Sequence, residues 1–142
     1  MGIVRYNPLK ASSYVALPKI IANRRASCNN IENNDQKCFF WSVLAALHPV
    51  EKNASRVNKY VEFENDVNMN GIRCPVKVKD ICKFGKQNRA ISINVFGFED
   101  DHIFLLRITT EVKQNHVNLL LISNEETSHY VLIKDLSRLL TT

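Results

Sequence analysis

An α+β domain is predicted by three features of this 142-residue sequence: helix-compatible patterning confined to its first half, short apolar runs between polar turns in its second half, and a length of about one domain. The stretch "CFFWSVLAAL" (38–47) has Ser42 as its only polar side chain, so a helix here is apolar on every side and must be buried all round. His48 before Pro49 marks its stop. Residues 1–34 read as an arm, rich in Asn, Ser and basic side chains, leading into a single domain at 35–142. Within the arm "YVALP" (14–18) reads as a short edge strand, the position Pro18 tolerates.

Past the buried helix, residues 55–65 fit an amphipathic helix with Val57, Tyr60, Val61 and Phe63 inward, and "VKDICKF" (78–84) fits a shorter one ended by Gly85. The second half changes period. "ISINVFG" (91–97) alternates, while "IFLLRI" (103–108), "VNLLLIS" (117–123) and "HYVLI" (129–133) are nearly continuous apolar runs. Their shortness, with "FEDD" and "NEET" as turn material, selects strands over helices. "KDLSRLL" supplies a short final helix, with Asp135 at its start as a cap.

A composition of 45% hydrophobic and 23% charged residues is that of a folded globular chain, not a disordered one. The net charge of +5 is spread over short pieces ("NRRAS", "VKVKD", "KFGKQNR"), and aromatic residues fall in apolar runs instead of interleaving with the basic ones. Neither feature points to a nucleic-acid partner. No apolar run approaches the ~20 residues of a membrane span, and the N-terminal residues lack a signal-peptide core, so the sequence is read as intracellular (cytoplasm or nucleus), with no membrane partner. Cysteines 28, 38, 74 and 82 form no CxxC pair and have no spaced histidine pair, so no metal or other cofactor is called for.

One cysteine stands apart. Cys38 opens the buried helix, where unpaired backbone amides and the helix dipole favour a thiolate. A nucleophilic thiol needs a base, and His129 is the best placed of the four histidines because it begins a strand straight after a polar turn. At a strand edge beside an open cleft it is expected to carry little packing. His116 is the second choice, while His48 adjoins a proline and His102 sits in an acidic turn.

"DQKCFFWSV" and "LLLISNEETSHYVLI" together resemble the Cys and His signatures of the OTU deubiquitinases, a family of papain-like cysteine peptidases. The resemblance implies a papain-like fold in which the Cys38 helix packs on an antiparallel sheet carrying His129. It also implies cleavage of isopeptide or peptide bonds after the C-terminal glycine of ubiquitin or a ubiquitin-like protein. More loosely, "LPKIIANRR", "CFFWSVLAALHP", "ISINVFG" and "HYVLIKDLSRLL" are similar to segments of Maverick/Polinton-like transposon polyproteins. Polyprotein processing, or a non-catalytic binding module of a mobile-element replication protein, are therefore the alternatives.

The third catalytic residue stays open among Asp35, Asn94, Asn118 and Asp135. The family's usual Asn or Asp two beyond the histidine is Val131 here. Asp135 is six residues beyond His129, roughly 20 Å along an extended strand. Asp35 either caps the helix through the Cys38 amide or shapes the loop so that amides face a developing oxyanion. Glu125 and Glu126, just before His129, are the candidate contacts for the basic tail of ubiquitin.

Overall fold

The computed structural model describes residues 13–140. Its sheet has five strands: β1 (Cys28–Asn29), β2 (Ile91–Glu99), β3 (His102–Arg107), β4 (Asn115–Ser123) and β5 (Ser128–Ile133), in the order β1-β5-β4-β2-β3. The helices are α1 (Lys19–Ala22), α2 (Cys38–Leu47), α3 (Ile81–Gln87) and α4 (Leu136–Leu140). The α+β class and the four long strands agree with the sequence reading. The sheet is not wholly antiparallel, because β2 and β4 run parallel, with Ile91 opposite Asn115 and Gly97 opposite Leu121. The connection that allows this leaves β2 through β3 and returns along the opposite edge of β2.

Alternation along the strands divides the core in two. Ile91, Ile93, Val95, Val117, Leu119, Tyr130 and Leu132 face α2, and a further layer holding Tyr60, Val67, Val76, Ile81 and Phe84 covers the helix from the other side. This sandwich is why α2 is apolar all round: every side chain from Cys38 to Ala45 is buried. Phe39 lies edge-on between Phe84 (ring centroids 5.0 Å apart) and Tyr130 (5.3 Å). On the opposite sheet face Leu120, Ile122, Val131 and Ile133 pack with Ile21 and Leu139, which α1 and α4 contribute.

Several local expectations are corrected. "YVALP" forms no strand, and the short edge strand of the arm is β1 instead. Proline at residue 18 precedes α1, where its fixed φ and missing N–H suit a helix start better than a ladder. Residues 55–65 form two 3₁₀ turns, Val57–Lys59 and Val61–Asp66, with Tyr60 buried but Val61 exposed. The tighter winding rotates Val61 off the inward stripe. Gly85 lies inside α3, which runs on to Gln87 and ends where the Asn88 amide side chain and backbone N–H both turn back onto the Phe84 carbonyl. Residues 1–12 of the proposed arm lie outside the described range. Among the described residues no helix is long and apolar enough to cross a membrane.

Candidate active site

β1 ends at Asn29, opposite Leu132, and so leaves the edge of β5 unpaired beyond that point. Helix α2 takes its place. The Tyr130 N–H donates to Cys38 Sγ (3.3 Å), and the Tyr130 carbonyl accepts from Ser42 Oγ (3.2 Å). Cys38 and Ser42 are one helical turn apart, i and i+4, so a single face of α2 satisfies both outward groups of one strand residue. The thiol thus lies beside the backbone of β5, immediately past His129.

Four donors surround the sulfur: the N–H of Tyr130, the amides of Cys38 and Phe39, and the Ser13 hydroxyl. Each favours a thiolate. Burial is the larger influence, however, and pushes the Cys38 thiol above its ordinary value, contrary to the activated thiolate expected from the helix start alone. The reason is the depth of the group, 1% exposed, which a sequence position does not reveal.

His129 shares its face of β5 with Val131 and Ile133, away from the layer that holds α2. It is fully buried, which overturns the expectation of an open cleft: the Tyr14 ring lies edge-on against the imidazole and Asn30, in the loop after β1, bonds its Nε2. Its Nε2 lies 2.5 Å from Asn30 Oδ1, and the Asn30 amide is oriented by its own Nδ2 donating to the Val15 carbonyl (3.0 Å). An amide oxygen only accepts, so Nε2 carries the hydrogen and the neutral ring leaves its lone pair on Nδ1. That Nδ1 is buried and has no hydrogen-bond partner among the described residues. Desolvation lowers the His129 pKa from 6.5 to about 4, so the resting imidazole is neutral at physiological pH.

Asn30 is the residue that sequence reasoning missed. It sits in the loop after a two-residue strand, where neither hydrophobic period nor a motif marks it. The residues weighed for its role lie elsewhere. Asn118 stands opposite Ile133, about 13 Å along β5 from His129. Asn94 is one strand further out and accepts from the Thr109 N–H (2.7 Å). Asp135 caps α4, accepting from the Arg138 N–H (3.1 Å) with the Arg138 guanidinium alongside at 3.3 Å, as its distance from His129 predicts.

Asp35 shapes the turn before α2. Its Oδ1 accepts from the Lys37 N–H (2.9 Å) and Asn33 Nδ2 (3.0 Å), and its Oδ2 from Trp41 Nε1 (3.0 Å). It therefore does not cap the Cys38 amide, which is left to face the sulfur. Partial burial raises its pKa, but the donors from Asn33, Lys37 and Trp41 outweigh that and hold the carboxyl below its usual range. Glu125 and Glu126 are exposed in the turn leading into β5.

The other polar candidates stand apart from the thiol. His116 Nδ1 is 2.7 Å from Ser92 Oγ on the β2–β4 pair, and His48 stacks on Phe63 beside Asp66. Cys74 is nearer than its sequence position implies, close enough for its electrostatics to register Cys38 and Asp35. No group of His, Cys, Asp and Glu among the described residues is arranged to hold a metal ion.

The arm closes the site. Ser13 is buried, bonded through its N–H to the Asp35 carbonyl (2.8 Å) and through its hydroxyl to Asn33 (3.1 Å) as well as the thiol. The Tyr14 ring lies edge-on against His129, centroids 5.3 Å apart. Compared with known proteins, the chain matches no family model, no curated protein and no solved structure.

Proposed function

We propose that the chain is a thiol peptidase of the deubiquitinase type, with Cys38 as nucleophile, His129 as general base and Asn30 as the residue that orients the imidazole. One observation carries this reading: a buried thiol at a helix start, ringed by N–H donors, accepts from the backbone N–H of Tyr130, the residue directly after a histidine whose tautomer is fixed by Asn30 and whose Nδ1 has no hydrogen-bond partner among the described residues. In the reaction the Cys38 proton passes to His129 Nδ1 as Sγ bonds to the substrate carbonyl carbon. The amides of Cys38 and Phe39 are the nearest donors for the oxyanion. The C–N bond then breaks as Nδ1 returns the proton to the leaving amine, and water hydrolyses the thioester. Residues Ser13 and Tyr14 have to withdraw before a substrate reaches the sulfur. Substrate class follows from Glu125 and Glu126, whose exposed carboxylates flank the start of β5 and suit the basic tail of ubiquitin.

A second reading is a non-catalytic module in which Cys38 and His129 serve packing and hydrogen bonding. Their burial, 1% and 0% exposed, favours it. The two readings part in one experiment. Incubation with ubiquitin carrying a C-terminal electrophile, followed by intact mass, should give a single adduct on Cys38 that is lost in Cys38→Ala. An adduct that persists in Cys38→Ala, or none at all while the fold is intact, removes the deubiquitinase reading.

A further inference from the structure

The two edges of the sheet differ. β1 is two residues long and adjoins the arm, whereas β3 is six residues long and is exposed on both faces: Phe104 is 40% exposed, Leu105 49% and Leu106 44%. Soluble folds shorten or charge such edges, because an apolar strand with unpaired N–H and C=O groups is a template for another strand. The apolar residues are also held in place. The Phe104 ring lies over Gly97, where an added Cβ would come within 2.5 Å of it.

The charges beside this strand are arranged end to end. Its start follows Glu99, Asp100 and Asp101, and Asp100 and Asp101 both have positive φ in the tight β2–β3 turn. Its end is Arg107, beside a cavity of about 280 Å³ lined also by Lys86, Arg89 and Lys113 and by Glu111, which Lys113 Nζ meets at 2.6 Å, so the lining is basic on balance. One end is acidic and the other basic, so the edge is complementary to itself reversed.

We propose that β3 is a homodimer interface, at which two copies pair β3 to β3 antiparallel about a two-fold axis and continue the sheet across both molecules. Opposed residues of an antiparallel pair share a face, so only registers whose paired residue numbers have an even sum keep both faces aligned. A two-fold axis through Phe104 sets Ile103 opposite Leu105, inside the stretch of β3 that precedes the irregularity at Leu106. The same operation directs each acidic turn toward the basic cavity of the other molecule. An isologous contact of this kind closes at two copies.

The test is sedimentation or light scattering on the full chain at about 100 μM, well above the micromolar Kd of a modest interface. A dimer is expected, weakened at least about tenfold by Leu105→Lys with unchanged circular dichroism. Charge reversal gives the more specific measurement. Glu99→Lys with Asp101→Lys, and separately Arg89→Glu with Lys113→Glu, should each be monomeric, and mixing the two double variants should restore a heterodimer. A monomeric wild-type chain, a dimer indifferent to Leu105→Lys, or a mixture of the variants that stays monomeric overturns the proposal. None of these readouts depends on peptidase activity.

Discussion

At the scale of single residues, the arrangement turns on which nitrogen of His129 holds the proton. Asn30 settles this by offering Nε2 an acceptor, and its effect is readable apart from its packing. On the proposed mechanism, Asn30→Ala should lower turnover of a ubiquitin substrate by tenfold or more, about 1.4 kcal/mol of barrier. Asn30→Asp should shift the His129 titration, followed by ring NMR, upward from about 4, since a carboxylate beside Nε2 supports the imidazolium. An unmoved titration in Asn30→Asp would show that Asn30 does not act through the imidazole. Asp35 and Asp135 differ in what they hold. Asp35→Ala removes the acceptor of three donors around the turn before Cys38 and should cost about 1–3 kcal/mol and slow turnover. Asp135→Asn alters the cap of α4 and the exposed Arg138 ion pair beside it, with a cost on the order of 1 kcal/mol or less and a rate within a few-fold. Thermal melts and a rate assay on both variants decide this.

At the scale of elements, α2 behaves as a strand substitute, since its Cys38–Ser42 face binds the backbone of Tyr130 where β1 has turned away. Its packing makes it the least replaceable segment. Phe39→Ala, which opens a hole between Phe84 and Tyr130, should cost about 3–5 kcal/mol in chemical denaturation. Residues Ser13 and Tyr14 of the arm are held differently, by a few hydrogen bonds and one ring contact across the site. Ser13→Ala with Tyr14→Ala should therefore leave the fold in place while speeding alkylation of Cys38 by iodoacetamide at least about tenfold. Unchanged alkylation kinetics would mean that something other than the arm limits access to the thiol.

For the whole molecule, burial of a neutral imidazole links stability to pH. The folded pKa of His129, about 4, lies below its unfolded value of 6.5, so the unfolded chain binds the proton first as pH falls. Stability is fully present above pH 6.5 and declines between 6.5 and about 4, by an amount on the order of 3 kcal/mol. The depressed Asp35 carboxyl adds its own loss at lower pH, as it protonates below its ordinary value of 3.8. Melting temperatures across this range should fall for the wild type and stay nearly flat between pH 6.5 and 4.5 in His129→Gln. Equal slopes in both proteins would assign the acid sensitivity to other groups.

The sequence by itself determined the buried helix and the four long strands, and pointed to Cys38 and His129 as the candidate pair. Ten residues from Cys38 with one hydroxyl among them have no stable state but a helix buried on all sides, and the apolar runs in the second half are too short and too closely bounded by turns to be anything but strands. Its alternation also placed His129 with Val131 and Ile133, because side-chain parity along a strand is local. What only the tertiary structure decided is everything that depends on a neighbour distant in sequence. The parallel pairing of β2 with β4 comes from the path of the chain, not from the pattern of either strand. Asn30 meets His129 across 99 positions, and Ser13 and Tyr14 reach the thiol and the imidazole from the arm. The direction of both pKa shifts was set in the same way. A helix start and a strand start each predict an accessible, activated group, but desolvation depends on what the rest of the chain packs over it, and here that outweighs the local amides.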